Sequence, residues 1–184
     1  MKISFSKNLI FGLFIVLNSC QSSTENSSNN GSYVSLIKFF EEEKIILTKK
    51  NNLIEKSIVK DGNKETKKMS NINWEKELEI FKDCDINKPA WRNLYHQEKE
   101  VLDKKQLIRY TSLDDKLTIK NIVIEYDSTN KISEIQINKS TKNNLYSSNE
   151  ELIYNRKNGY SIKRDQKVVL LGNSNLFIKA LFLK

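Results

Sequence analysis

The pattern that most constrains the fold is an alternation of apolar and polar residues in the second half of the chain. In residues 133–138, Ile135 and Ile137 alternate with polar residues, as expected for a strand with one buried face. Short turns, such as residues 127–130 and Asn158-Gly159, separate neighbouring segments, and short connections join antiparallel strands. The sequence therefore predicts an antiparallel meander of five to seven strands. The segments begin near residue 107 and include residues 117–126, 133–138, 152–154, 160–163, 168–171 and 176–182.

A first helix is predicted at the start of the folded region. Ser32 can cap it, and apolar residues then recur at three- and four-residue steps as far as Ile58. We expect this amphipathic helix to run to Lys60, because Asp61-Gly62-Asn63 then supplies turn chemistry. Its apolar face is expected to pack on the sheet, with a partner or membrane contact as the alternative.

A second helix is predicted after Asn73, a favourable capping residue. Trp74, Leu78 and Phe81 share one face of it. The helix ends before Pro89, because proline disfavours helical geometry in the residue that precedes it. The fold class that follows is α+β, with two N-terminal helices packed on one face of a five- to seven-strand antiparallel β-meander.

The N-terminus has the organisation of an export signal. Lys2 and Lys7 give a positive start, and the apolar residues 9–17 follow, interrupted only by Gly12. As a helix this run would span about 14 Å, less than half of a hydrocarbon core of about 30 Å. The run is therefore too short for a stable membrane span, but it is long enough for the apolar region of a signal peptide.

The signal ends in Leu17-Asn18-Ser19-Cys20, which resembles the bacterial lipobox. The resemblance implies diacylglycerol transfer to the Cys20 sulfur, cleavage between Ser19 and Cys20, and acylation of the new amine. Two or more acyl chains would anchor the protein stably, because each buried methylene contributes about 0.8 kcal/mol. The alternative is an ordinary secretory signal followed by a chance cysteine.

This organisation divides the chain into a signal peptide (1–19), a tether (20–31) and a single α+β domain (32–184). After Cys20 the tether reads QSSTENSSNNG, which has no apolar residue and is expected to be disordered. The root-mean-square end-to-end distance of such a segment is about 18 Å. Gln21, rather than Asp, follows the cysteine. By resemblance to the retention rules of other bacteria, this favours the outer membrane.

The formal net charge of +8 comes from 31 basic and 23 acidic residues that are interspersed along the chain. The densest basic run, residues 64–68, contains Glu65. We therefore expect a solvated surface, with contact to acidic lipid head groups as the alternative. The exported location argues against a nucleic-acid partner.

The sequence offers little catalytic chemistry. Cys84 and His96 could form a nucleophile–base pair, but no motif brackets Cys84, and its helical phase predicts a buried structural role. Residues 83–87 resemble the opening of a calcium loop, but Lys88 and Leu94 stand where that loop needs Gly and Glu. We expect no metal and no cofactor, and the balance leans against an enzyme.

The most distinctive segment is WEKELEIFKDCDINKPAWRNLY, residues 74–95. It resembles a segment of uncharacterised lipoproteins of the Bacteroidota, in which a similar Asp-Ile-Asn-Lys-Pro-Ala-Trp string joins a helix to a sheet. The resemblance implies no particular activity. The segment is either an interaction surface or a structural clasp in which Trp91 packs on the helix face made by Trp74 and Phe81. Its candidate residues are Trp74, Phe81, Asp85, Asn87 and Trp91.

Two functional hypotheses follow. The leading one is a membrane-anchored envelope lipoprotein that binds or helps to assemble another envelope component without catalysis. The alternative is a lipid or lipoprotein carrier with an apolar cavity between helices and sheet, loosely similar in architecture to the half-barrel lipoprotein-localisation factors. The expected partners are the membrane, through the lipid on Cys20, and another envelope protein or a lipid.

Overall fold

The computed structural model of the protein describes residues 33–103 and 105–183. The predicted signal peptide (1–19), the lipid attachment at Cys20 and the tether (20–31) lie outside the described residues. In the described part, no helix combines the length and the apolar character that crossing a bilayer requires.

The first helix, α1, spans Leu36–Lys50. Its capping residue is Ser35, three residues beyond the expected Ser32, and its side chain accepts a hydrogen bond from the Lys38 amide at 3.2 Å. The helix ends at Asn51, which takes the left-handed conformation with a φ of 42°. The prediction that this helix continues to Lys60 is therefore wrong.

A β-hairpin occupies the region that was expected to complete the first helix. Strand β1, Ile54–Lys60, pairs with β2, Asn63–Met69, across Asp61-Gly62. Both turn residues have positive φ values, 49° and 87°, which is the geometry of a tight hairpin turn. The four-residue spacing of Ile54 and Ile58 misled the sequence interpretation, because a step of four suits one face of a strand as well as one face of a helix.

The second helix, α2, spans Trp74–Lys82 and begins where the sequence predicts. The Asn73 side chain caps it by accepting a hydrogen bond from the Lys76 amide at 3.1 Å. A short 3₁₀ turn, Pro89–Trp91, then leads the chain into the sheet.

All the strands of the described residues belong to one antiparallel nine-stranded sheet, and this part of the molecule is α+β with sheet predominating. The strand order is β2-β1-β9-β8-β7-β6-β5-β4-β3. Strands β3 to β9 therefore form a meander, and its last strand, β9, pairs with β1. The predicted count of five to seven strands is too low. The missed strands β2 and β3 are largely exposed and rich in charged residues, which hides the alternation of a half-buried strand, and β1 is mostly of intermediate burial. The meander strands are β3 Tyr95–Leu102, β4 Lys105–Ser112, β5 Ile119–Tyr126, β6 Ile132–Lys142, β7 Tyr146–Asn155, β8 Gly159–Val168 and β9 Gly172–Phe182.

One predicted strand is a turn. The apolar run at residues 168–171 was expected to pair within the sheet, but β8 ends at Val168 and β9 begins at Gly172. Residues 169–171 form the connection, and their side chains are exposed. The strand prediction rested on apolar character alone. In the structure Val168 pairs with Gly172, so residues 169–171 form the hairpin turn between them.

The core lies along one face of the sheet. Residues that are paired across antiparallel strands point to the same side, so the register defines a continuous buried row. Gly159 lies beside this row with a φ of 122°, and a Cβ there would lie 1.9 Å from the Ala180 carbonyl oxygen. Only glycine fits this close approach. The row consists of Ile108, Ile124, Ile135, Tyr154, Tyr160 and Ala180.

Aromatic side chains of both helices meet this row. The ring of Phe40 in α1 lies 5.1 Å from that of Tyr154, centroid to centroid. Phe81 in α2 lies 6.0 Å from both Tyr154 and Tyr160. Edge-on ring contacts of this kind add to the free energy gained by burying the rings. Trp74 packs farther along, 5.8 Å from Phe182.

Candidate functional site

Asp85 joins the start of α1 to the exit of α2. Its carboxylate is 3% exposed. Oδ2 accepts hydrogen bonds from Ser35 Oγ at 2.9 Å and from the Ile37 amide at 3.0 Å. Oδ1 accepts from the Asn87 amide at 2.7 Å and from Asn87 Nδ2 at 2.9 Å. Two of the residues singled out in the sequence, Asp85 and Asn87, therefore lie together and tie two segments of the chain.

The charge of Asp85 suits this position. Burial by itself raises the pKa of the carboxyl, but the hydrogen bonds from Ile37 and Asn87 oppose it and leave the pKa below its ordinary value of 3.8. The carboxylate also faces the first turn of α1, where the helix dipole favours negative charge. Because both oxygens already accept protein hydrogen bonds, Asp85 acts as a structural tie.

Trp91 belongs to a different cluster from Trp74 and Phe81. Its half-buried ring lies 6.3 Å from that of Tyr95, and Lys88 Nζ sits 4.3 Å from its centroid, a cation–π distance. Among the aromatic contacts of the described residues, the ring partner of Trp91 is Tyr95, and neither Trp74 nor Phe81 contacts it. The expected packing of Trp91 on these two side chains is thus not the arrangement in the structure.

An open cleft of about 550 Å³ lies beside Asp85 and Asn87. Its lining includes Lys82 and Lys88 together with Asp83 and Asp85. The lining is mixed in charge, and its buried carboxylate is already bonded to Ser35 and Ile37. The arrangement suits a polar surface contact better than a reaction centre.

Cys84 and His96 do not form the nucleophile–base pair that the sequence left open. The Cys84 thiol is fully buried and donates a hydrogen bond to the Ile80 carbonyl oxygen at 3.2 Å. Burial raises its pKa to about 11, so the thiolate is scarce at neutral pH. His96 lies on β3 with an exposed side chain, and its Nε2 is 3.5 Å from Glu98 Oε1.

A buried polar cluster that sequence reasoning missed lies between α1 and the sheet. Glu43 is 2% exposed. Its Oε2 accepts a hydrogen bond from the Tyr154 hydroxyl at 2.6 Å, and its Oε1 accepts from Arg156 Nε at 2.8 Å. Burial first, and the Glu43 carboxylate second, raise the pKa of Tyr154 and keep the phenol protonated. One signal was present: Glu43 falls on the buried stripe of α1, between Phe40 and Leu47.

A charged cluster at the surface links the two helices. Lys82 Nζ lies 2.8 Å from Glu41 and also contacts Glu75, while Lys44 Nζ lies 2.6 Å from Glu75. Hydrogen bonds from Lys44 and Lys82 lower the pKa of Glu75 to about 2. Exposed ion pairs contribute little individually, so this cluster orients the helices rather than holding the fold together.

Within residues 33–103 and 105–183, no group of three or more His, Cys, Asp or Glu side chains could hold a metal ion. Comparison of the chain with protein-family models, with curated proteins and with solved structures gives no match.

Proposed function

We propose that the protein is an exported bacterial lipoprotein, anchored through acyl chains on Cys20, that binds or helps to assemble another component of the cell envelope. The observation that carries the proposal is the N-terminal sequence, in which a positive start and an apolar run at residues 9–17 lead into Leu17-Asn18-Ser19-Cys20. The outer membrane is the proposed location, because Gln21 follows the cysteine.

The roles of the polar groups support a binding protein over an enzyme. Asp85 and Glu43 are buried carboxylates, and each accepts hydrogen bonds from neighbouring protein groups. The thiol of Cys84 is shielded and has a raised pKa. Catalytic acids, bases and nucleophiles converge in a cleft that a substrate can enter, and these groups act within the fold instead.

We also infer that the two helices cover the same face of the sheet. Phe40 of α1 and Phe81 of α2 both contact the ring of Tyr154. Glu77 of α2 bonds to the Tyr160 hydroxyl and to Lys56 Nζ. The register supports a shared face for the sheet residues involved, because Tyr154, Tyr160, Ala180 and Lys56 are paired in succession.

The packing favours the binding role over the carrier hypothesis. A carrier needs an apolar cavity of roughly 300–1,000 Å³ between helices and sheet. Around Phe40, Phe81 and Tyr154 the rings are in direct contact, with centroids 5.1 to 6.0 Å apart. An acyl chain could enter there only if these rings separated.

The anchor is tested by detergent phase separation of the protein expressed in its native host. The full-length protein is expected in the detergent phase, and a Cys20→Ser variant is expected in the aqueous phase or as an unprocessed precursor. Cys84→Ala, which removes the other cysteine, is the matched control and should partition like the unsubstituted protein. Equal partitioning of the Cys20→Ser protein, with normal processing, would overturn the proposal.

The binding role is tested by crosslinking in intact cells, followed by identification of the captured envelope components. A reproducible partner that is lost when the Lys88–Trp91 pair beside the cleft is altered by Lys88→Ala and Trp91→Ala is the expected result. Substrate turnover in a broad hydrolase screen that is abolished by Cys84→Ala or His96→Ala would instead establish an enzyme.

A further inference from the structure

Two neighbouring turns at one end of the sheet form a single projecting tip. The first joins β6 to β7 and the second joins β8 to β9. Because β7 pairs with β8, the turns lie side by side, with Tyr146 opposite Val168. The Val169 amide donates a hydrogen bond to the Leu145 carbonyl oxygen at 3.0 Å, which connects the two turns directly.

The tip presents apolar side chains to the outside. Leu170 and Leu171 are 91% and 85% exposed, and Leu145 and Val169 are 67% and 59% exposed. We call these four residues the tip cluster. Turns are normally built from Gly, Pro, Asn, Asp and Ser, so adjacent turns that expose four large aliphatic side chains need a reason outside the fold.

The charged residues of the two segments that carry the tip cluster are basic, and the neighbouring acidic residue Asp61 accepts hydrogen bonds from Ser174 and Asn175. Lys142 and Lys167 flank the two turns, and both are exposed. Neither residues 141–149 nor residues 166–175 contain an aspartate or glutamate. Apolar side chains with lysines just behind them match the layering of a bilayer surface, where anionic head groups lie outside the acyl chains.

A second exposed apolar pair has a different charge environment. Val101 and Leu102 in the β3–β4 hairpin are 78% and 60% exposed. They lie at the opposite end of the sheet, in a segment where three acidic residues are balanced by Lys99, Lys104 and Lys105. The mixed charges there give no net attraction to an anionic membrane, so this pair of aliphatic residues lacks the excess of lysines found in the two segments of the tip.

The size of the tip cluster favours a bilayer over a protein partner. A stable protein–protein interface buries about 800 Å² on each partner and needs many more than four side chains. Insertion into a bilayer surface needs only a few apolar side chains reaching about 5–10 Å below the head groups. Such a contact can be weak and still occupied, because the proposed lipid anchor keeps the domain close to the surface.

We propose that the tip cluster inserts into the surface of an anionic bilayer, with Lys142 and Lys167 contacting phosphate groups, and so gives the domain a fixed orientation on its membrane. The contact extends the proposed anchoring and rests on it only for the local concentration of the domain. It places α1, α2 and the cleft beside Asp85 at defined heights above the lipid.

Depth-dependent fluorescence quenching tests this contact. A Leu170→Cys variant of the full protein, purified from native membranes, carries an environment-sensitive fluorophore at position 170. It is reconstituted into vesicles of phosphatidylethanolamine and phosphatidylglycerol with brominated acyl chains. A Ser128→Cys variant, labelled in the β5–β6 turn at the opposite end, is the control. Strong quenching at position 170 and little at position 128 is expected, whereas equal quenching would overturn the proposal.

The labelling step separates failure of the tip contact from failure of the anchor. Cys84 is fully buried, and a lipidated Cys20 has no free thiol, so the unsubstituted protein should take up no fluorophore. Uptake would show an unmodified Cys20 and would count against the anchor alone.

A pair of double variants tests which side chains are responsible. Val169→Asn with Leu171→Asn should reduce the quenching at position 170 about tenfold. Val101→Asn with Leu102→Asn removes two exposed aliphatic residues at the other end and should leave it unchanged. Undiminished quenching in the first variant would overturn the proposal. Concentration-dependent shielding of position 170 without lipid would assign the tip to contact between copies of the chain and would overturn it too.

Discussion

Two regions of the molecule, the interior around Tyr154 and the tip cluster, depart in opposite ways from the usual burial of apolar residues and exposure of charged ones. The interior buries charged groups, Glu43 and part of Arg156, whereas the tip exposes aliphatic ones such as Leu170. The buried carboxylates of Glu43 and Asp85 find partners within the chain, as the 2.6 Å bond from Tyr154 to Glu43 illustrates. The exposed side chains of the tip cluster gain no comparable stabilisation from contacts within the chain. The buried charged groups therefore stabilise the fold, whereas the exposed aliphatic side chains indicate a contact with another molecule or a membrane.

The turns themselves support this distinction. Asn155 closes the β7–β8 turn by accepting hydrogen bonds from the Lys157 and Asn158 amides, both at 3.0 Å. Asn143 closes the β6–β7 turn in the same way, accepting from Leu145 and Tyr146 at 2.9 Å. Because the same device shapes both turns, turn geometry does not require an aliphatic residue at position 145.

The largest effect is expected in the apolar interior. Phe81→Ala removes a fully buried ring that contacts Phe40, Tyr154 and Tyr160. We expect the free energy of unfolding to fall by about 3–5 kcal/mol, which urea denaturation measures. Phe177→Ala removes a ring that is 40% exposed and should cost clearly less. Equal losses in the two variants would mean that the core is not where the structure places it.

A smaller loss is expected at the buried carboxylate. Glu43→Ala leaves the Tyr154 hydroxyl and the Arg156 guanidinium without their acceptor, and we expect the free energy of unfolding to fall by about 2–3 kcal/mol. Tyr154→Phe should cost less by itself. In a double-mutant cycle, the two substitutions should show a coupling energy of about 1 kcal/mol, whereas simple additivity would argue against the bond.

The next effect depends on pH. Because the folded-state pKa of Asp85 is lowered, its contribution to stability is present above the ordinary value of 3.8 and is lost as the pH falls through the folded-state value. Asp85→Asn should therefore cost about 1–2 kcal/mol at neutral pH and less in acid. Urea denaturation at neutral pH and below pH 3.8 checks this. A difference from the unsubstituted protein that stays constant with pH would contradict the role of the charge.

The smallest effect on stability is expected at the tip. Leu170→Asn changes a side chain that is 91% exposed, so the free energy of unfolding should change by less than about 0.5 kcal/mol. Thermal denaturation in the absence of lipid measures this. A loss as large as that of Glu43→Ala would show that the tip supports the fold, and would remove the contrast between the two regions.

Local signals predicted the parts of the fold that depend on local structure. Asn73 marked the start of α2, and the alternation around Ile135 marked β6. The end of α1 was missed because Ile58 continues its spacing, although the left-handed Asn51 stops the helix. Ile54 pairs with Met69 in the local β1–β2 hairpin and also with Phe182, more than a hundred residues away, and no local pattern encodes that second pairing.

The candidate site shows the same division. Asp85 and Asn87 lie two residues apart, and their hydrogen bond is the kind of local contact that sequence suggests. Glu43 and Tyr154 are separated by 111 positions, so their contact depends on how α1 lies on the sheet. Trp91 packs against Tyr95 rather than against Trp74, because the turn Pro89–Trp91 directs the chain into β3. The sequence predicts a strand at residues 168–171 because apolar residues are usually buried, whereas residues 169–171 are exposed.

The measurement that bears most directly on the whole account is the intact mass of the mature protein purified from the membranes of its own host. We expect a chain that begins at Cys20 and carries the added mass of a diacylglycerol group and an amine-linked acyl chain. A mass that matches an unmodified Cys20, whether residues 1–19 are present or removed, would contradict the proposal that acyl chains tether this domain to a bilayer.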